Sequence, residues 1–526
     1  MNTIEQARYA RPRRLHGLLR SAAVALLATA VWFSTAHAAD VLRIGVADLP
    51  ASLEPGVETS NTGVRVIPSV FETLVEMDPF DNSILLPRLA TSWQRLDDYT
   101  MAFTLRDDVV FHDGTPFTSA DVAYSIERIV DTAFPGALAR SLLSIIERVE
   151  VIDDHTVHVI TSVPDPIIEY RLASAWGSWI VPAGYHSDVG VDDFGRAPIG
   201  TGPFSLVRYT PDSVSLEVFE DYWGARPSID RVEFRVIPET AARVTALVNN
   251  EVDLITTVPP DQIDSLERRA GVVVKSTLID NIHMQIYNAN VPPLDDARVR
   301  QALAAAIDRE LIVETIWNGR AEVPLGHQYP AYGMLFDAER PAPAYDPERA
   351  RQLLDEAGYA GEIIYYDVVG TMYTNELPAA EAITAMWQDV GLNVQIRVVD
   401  RSQRSAGTTG NPLDPPGGIF AWSNTMRFPD PLGGLWLLWG PNTSNQRHTW
   451  HASEAFNDVG GRMELELDAE ARRALALELL DLWEAESPGT ILWFPTETYA
   501  MRDNVNWVPD RSHSLDFRPH LFSFDD

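Results

Sequence analysis

From Leu42 onward, short segments with the two-residue period of a strand alternate with longer segments of helical period, almost to the end of the chain. Leu42-Arg43-Ile44-Gly45-Val46 reads as a first strand, and strand character recurs at Tyr99–Leu105, Val149–Ile160, Ser213–Phe219, Arg231–Ile237 and Val272–Lys275. Helices are expected at Ser119–Val130, Ala241–Asn250, Asp296–Ile307, Pro347–Ala357, Leu377–Val390 and Asp468–Ala485. Thr118 with Asp121 forms a capping-box pattern ahead of the first of these. Val299, Leu303 and Ile307 fall on one helical face. Such alternation predicts an α/β class with mixed sheets, and 526 residues are enough for about three structural units or one large two-lobed body. There is no internal repeat, and the Pro/Gly-rich stretch Gly410–Gly418 reads as a long loop of the kind found near binding sites.

The charge excludes one large class of partner. Asp and Glu number 75 against 41 Lys and Arg, a formal net charge of −34. A surface this acidic repels a phosphate backbone, so nucleic acid is not expected as a partner. The basic residues are almost all Arg, with Lys275 the single lysine. There is no Cys, which removes disulfides, thiol catalysis, Cys-ligated zinc and a lipidated N-terminal Cys.

Residues 1–38 read as an export signal: Arg8, Arg11, Arg13, Arg14 and Arg20 precede a 13-residue apolar run, Ser21–Phe33. Ala36-His37-Ala38 follows as a small-x-small cleavage site. The run falls short of the roughly 20 residues needed to span a bilayer. His16 stands where a twin-arginine signal usually has a large apolar residue, which favours the general secretory route. The expected mature chain is soluble and periplasmic, begins at Ala39 and is not lipid-anchored.

Catalytic signatures are missing. There is no H-E-x-x-H, G-x-S-x-G, Walker loop or G-x-G-x-x-G. Gly200-Thr201-Gly202-Pro203 reads as a tight turn, because Pro203 lacks a donor N–H. His155 and His158 lie three apart in a strand pattern and point to opposite faces, while His448 and His451 lack acidic partners at ligand spacing. No catalytic residue, metal site or cofactor is expected.

Five sequence blocks carry a family resemblance. They are Leu89-Ala-Thr-Ser-Trp93 through Phe111-His-Asp-Gly114 to Asp121; Pro198-Ile-Gly-Thr-Gly202-Pro-Phe; and Asp221-Tyr-Trp223-Gly with Val236-Ile-Pro238 and Asn250-Glu-Val-Asp253. Then follow Arg298-Val-Arg300-Gln-Ala-Leu with Ala306-Ile-Asp308-Arg, and Tyr345-Asp-Pro347-Glu-Arg-Ala with Glu356-Ala-Gly358. In this order they resemble the family 5 solute-binding proteins of ABC importers, the periplasmic receptors for peptides, nickel and related solutes. The resemblance implies a type II-like periplasmic-binding-protein fold: two α/β lobes joined by a two-strand hinge and closing over solute. It places lobe I at 39–280 with an extra subdomain at about 58–185, lobe II at 281–490, and a return to lobe I at 491–526. The hinge strands should lie near Leu278–Tyr287 and Ile491–Tyr499. A monomer handing its solute to inner-membrane permease subunits is implied, with no chemistry of its own. A chemosensory or chaperone-like receptor uncoupled from transport is the alternative.

The resemblance also says where the solute should be read. Peptide-binding relatives hold the ligand ammonium with an Asp after a Trp and shortly before an Asp-Pro. The corresponding stretch runs from Trp422 through Ser423, Asn424, Thr425, Met426 and Arg427 to Asp430-Pro431, with Thr425 where that Asp would stand. The loop in which dipeptide receptors carry a carboxylate-gripping Arg is here Thr371-Met-Tyr373-Thr-Asn375. The expected solute contacts are therefore Tyr373, Trp422, Asn424, Thr425, Arg427 and Asp430. Two cargoes fit: a peptide held mainly by its backbone, or a neutral or anionic solute (oligosaccharide, opine or carboxylate conjugate) stacked on Trp422, Trp436 or Trp439 and held by Arg427.

Overall fold

The computed structural model describes residues 40–408 and 416–524. The expected signal segment and most of the Gly410–Gly418 loop lie outside the described residues. The strand Val41–Val46 forms the middle of a first sheet, parallel to Arg231–Val236 on one side and to Leu254–Ile255 on the other. Ser213–Val218 and Phe204–Thr210 extend it antiparallel. A second set runs Val394–Val398, Ile364–Val368, Ile419–Thr425 and Asn281–Tyr287. Helices Glu376–Asp389, Ala297–Ala305 and Pro347–Ala357 supply apolar faces to this half, with Trp387, Leu303 and Leu354 in its core.

The two halves are linked by strands that cross together. Val272–Leu278 leads through Ile279-Asp280 into Asn281–Tyr287. The 14-residue strand Gly489–Arg502 runs antiparallel to both, pairing Ile491 with Met284 at one end and Met501 with Val273 at the other.

A separate four-stranded antiparallel sheet, Ala90–Arg95, Thr100–Leu105, Thr156–Thr161 and Ile146–Asp153, sits within the first half. Helix Ser119–Val130 covers it, burying Val122, Ile126 and Ile129 with Phe103 and Val157. The capping box forms as the sequence indicates: Thr118 N–H donates to Asp121 Oδ2 at 2.9 Å. The expected single strand Val149–Ile160 is instead a hairpin, because Asp153 Oδ1 accepts the His155 N–H at 2.9 Å and turns the chain there. Gly114 takes φ +83°, the left-handed region its turn requires. Gly202 has no room for a Cβ, which would stand 2.6 Å from the Val70 carbonyl carbon, so its loop packs tightly and is no phosphate cradle.

Candidate functional site

A cleft of about 860 Å³ opens between the halves, floored by the crossing strands. The first half brings Asp48, Asn61, Arg65, Trp176 and Arg243 to it, and the second brings Trp317, Tyr373, Trp422, Thr425 and Arg427. A side pocket of about 60 Å³ shares Trp176, Thr425 and Arg427 with it.

The second wall is built on Ile419–Thr425 paired with Asn281–Tyr287, Thr425 opposite Asn281 and Ser423 opposite His283. These four residues line the cleft. Thr425 Oγ1 donates to Asn61 Oδ1 at 3.2 Å, a bond between the halves. Trp422 is half-buried at the cleft edge, packed against the core, with the Arg404 guanidinium 4.0 Å from its ring centre. Tyr373 lies on the loop before helix Glu376–Asp389, its ring 4.8 Å from the His283 imidazole. Glu376 holds that loop by accepting from the backbone N–H of Val369 at 3.1 Å and of Met372 at 2.9 Å.

Arg427 follows the strand, in a turn where its N–H donates to Gly433 O at 3.1 Å. Its Nη1 donates to Asn424 Oδ1 and to the Thr425 carbonyl, and its guanidinium lies 5.2 Å from the Trp176 ring centre. Burial pulls its pKa down, while Tyr329 and Tyr332 act the other way. No carboxylate pairs with it among the described residues, and its Nε has no partner. A guanidinium stays protonated through any ordinary pH, so this is a desolvated cation at the edge of a cleft. Among the other cleft arginines, Arg65 pairs with Glu497 at 3.1 Å and Arg401 with Asp48 at 3.4 Å, whereas Arg243, like Arg427, has no carboxylate partner among the described residues and donates to the Ile237 and Pro238 carbonyls at 2.8 and 2.7 Å.

Two expected contacts face elsewhere. Asn424 is fully buried; its Nδ2 donates to Gly434 O at 3.1 Å and lies 2.9 Å from His327 Nε2, so it braces Arg427 behind the cleft wall. Asp430 pairs with buried Arg472, at 2.7 Å through Oδ1, and caps Leu432 N–H at 2.9 Å; its carboxylate is spent on the scaffold. Trp436 and Trp439 are core residues rather than stacking platforms, Trp436 donating to Glu464 at 3.0 Å and packing where any side chain at Gly460 would collide. Cleft residues the sequence did not single out include Asn61, Trp176, His283 and Trp317. Trp176 and Asn61 lie in the other half and carry no local signal; His283 sits in a strand buried on both faces, where alternation is lost.

Among the described residues no three His, Asp or Glu side chains gather as a metal site, and no helix is long and apolar enough to cross a membrane.

A family model, bacterial extracellular solute-binding proteins, family 5, matches residues 85–446. A di/tripeptide-binding protein of Pseudomonas aeruginosa is 27% identical over 451 residues, covering 81% of this chain and 84% of its own. A periplasmic binding protein of Helicobacter pylori, solved with the peptide STSA, superposes with a TM-score of 0.82 at 23% identity, over 92% of this chain and 98% of its own. A binding protein of A. tumefaciens, solved with agropinic acid, superposes with a TM-score of 0.81 at 25% identity, over 92% and 99%. The fold is that of the two-lobed periplasmic binding proteins.

Proposed function

The chain belongs to the family 5 bacterial extracellular solute-binding proteins, and on that premise we propose that it is the periplasmic receptor of an ABC importer, taking a peptide or peptide-like solute into its cleft and presenting it to an inner-membrane permease. The observation that carries the reading is the cleft itself, which lies within the roughly 300–1,000 Å³ of small-ligand sites and sets the rings of Trp176, Trp317, Tyr373 and Trp422 among many polar and charged side chains. The named relatives supply the peptide class. On this reading the solute meets Tyr373, Trp422, Thr425 and Arg427, all of which line the cleft.

Lobe I is taken as 39–280 with its extra subdomain at about 58–185, lobe II as 281–490, and 491–526 as the return. The paired crossing strands support a hinge at Ile279-Asp280 and near Pro495, about which opening would part Asn61 from Thr425. Residues 1–38 would direct export, and the exported protein would act as a monomer without enzymatic chemistry; peptide turnover that persists through repurification would overturn that part.

A second reading, an opine or other anionic conjugate, is favoured by Arg427, which offers a cation where peptide-binding relatives offer an anion. Titration calorimetry with di- to tetrapeptides and with opine carboxylates separates the two. Binding by one class names it, and heat from neither would overturn the receptor assignment.

A further inference from the structure

We infer that His283 is held as a neutral Nε2–H donor on the cleft floor, forming a subsite that takes a carbonyl or carboxylate oxygen and refuses an ammonium. The subsite rests on the receptor reading above; the state of the imidazole does not.

Trp493 fixes the tautomer, because its indole N–H can donate and never accept. It lies 3.2 Å from His283 Nδ1, so that nitrogen must present a lone pair. A neutral imidazole with an accepting Nδ1 carries its proton on Nε2. Protonating Nδ1 would set one donor against another and break this bond. The surroundings add to the same end: Tyr373, Trp493 and Trp317 stand 4.8, 6.1 and 6.2 Å from the imidazole, and burial pushes its pKa down to about 3.

Nε2 has no protein partner among the described residues and is not sealed from solvent. His283 lines the cleft in a row with Asn281, opposite Ser423 and Thr425. An N–H donor between aromatic walls is satisfied by an oxygen lone pair, and a flat amide or carboxylate group suits the slot beside Tyr373. An ammonium brings only donors, so at this point it leaves the imidazole N–H unpaired in a partly desolvated site. Trp493 acts through His283 and is a positioning residue.

Nitrogen-15 NMR of the mature protein with labelled histidine tests this without any solute. Nδ1 should show the shift of an unprotonated ring nitrogen and Nε2 that of a protonated one, both constant from pH 5 to pH 8. The signal is identified by its loss in His283→Gln or, should that variant not fold, by its movement in Trp493→Phe. A protonated Nδ1, or an imidazolium titrating in that range, would overturn the tautomer. Acetate, N-methylacetamide and methylammonium then serve as probes. The first two should move the Nε2 signal and methylammonium should leave it in place. Equal response to all three, or to none, would overturn the subsite while leaving the receptor reading to its own calorimetric test.

Discussion

Arg427→Met removes a cleft cation that has no carboxylate partner among the described residues, and its effects on stability and on affinity should separate. Without the guanidinium, Asn424 Oδ1 and the Thr425 carbonyl lose a donor. Each buried acceptor left unpaired costs about 1–3 kcal/mol, so the two together cost about 2–6 kcal/mol. Against this, an apolar side chain of similar length no longer has to be desolvated as a cation, and replacing buried charged groups by well-packed apolar ones gains about 1–4 kcal/mol. The two effects are of similar size, so the solute-free variant should unfold within about 2 kcal/mol of the wild type. Affinity for an anionic solute has no such cancellation. Losing one partner of a desolvated charged pair costs about 2–5 kcal/mol, which at 1.4 kcal/mol per decade is roughly 30-fold to 4,000-fold in Kd. Scanning calorimetry of the solute-free proteins gives the first quantity, and titration with the co-purified solute gives the second. A Kd unchanged within about threefold, or an equal loss of melting temperature with and without solute, would show that Arg427 braces the turn and reads nothing.

Periplasmic protein should begin at Ala39 by N-terminal sequencing; an intact Met1 in a membrane fraction would mark residues 1–38 as an anchor. Arg472→Met strands the buried Asp430 carboxylate and should cost about 3–5 kcal/mol in denaturant unfolding. The folded fraction should still bind solute with wild-type affinity, and weakened binding would return Asp430 to the site. Burial pushes the Asp510 carboxyl up from 3.8 to about 6, so the folded chain keeps a proton there that the unfolded chain releases. That contribution is complete below about pH 4 and lost as pH rises through about 6. Asp510→Asn should therefore stabilise by up to about 3 kcal/mol at pH 7 and by little at pH 3.5, and equal gains at both would refute the shift.

The helices were legible because their ends are written locally. Asp346 before Pro347 caps one helix, accepting the Arg349 N–H at 2.8 Å, and Gly358 ends it at φ +70°. Asp468 caps the long C-terminal helix in the same way. The crossing strands were legible through the order of the blocks. The side-chain facing of the site was not. Asn424 and Thr425 are neighbours in one strand and must point to opposite sides, but which one meets the cleft depends on pairing with Asn281, 144 positions earlier. Asp430 looked free because its partner Arg472 lies 42 residues on, in another helix. Trp436 and Trp439 show the same spacing whether a helix buries its aromatics or offers them; Gly460 and Trp450, which decide it, come from other segments. Tertiary partners, absent from local sequence, made each of these choices.

Native mass spectrometry of protein taken from the periplasm and never denatured tests the receptor assignment most directly. One bound solute is expected, released on unfolding, that carries a carboxylate or comparable anionic group and peptide-like acceptors. Protein that carries no solute, and whose melting temperature no peptide or opine raises, would contradict the assignment.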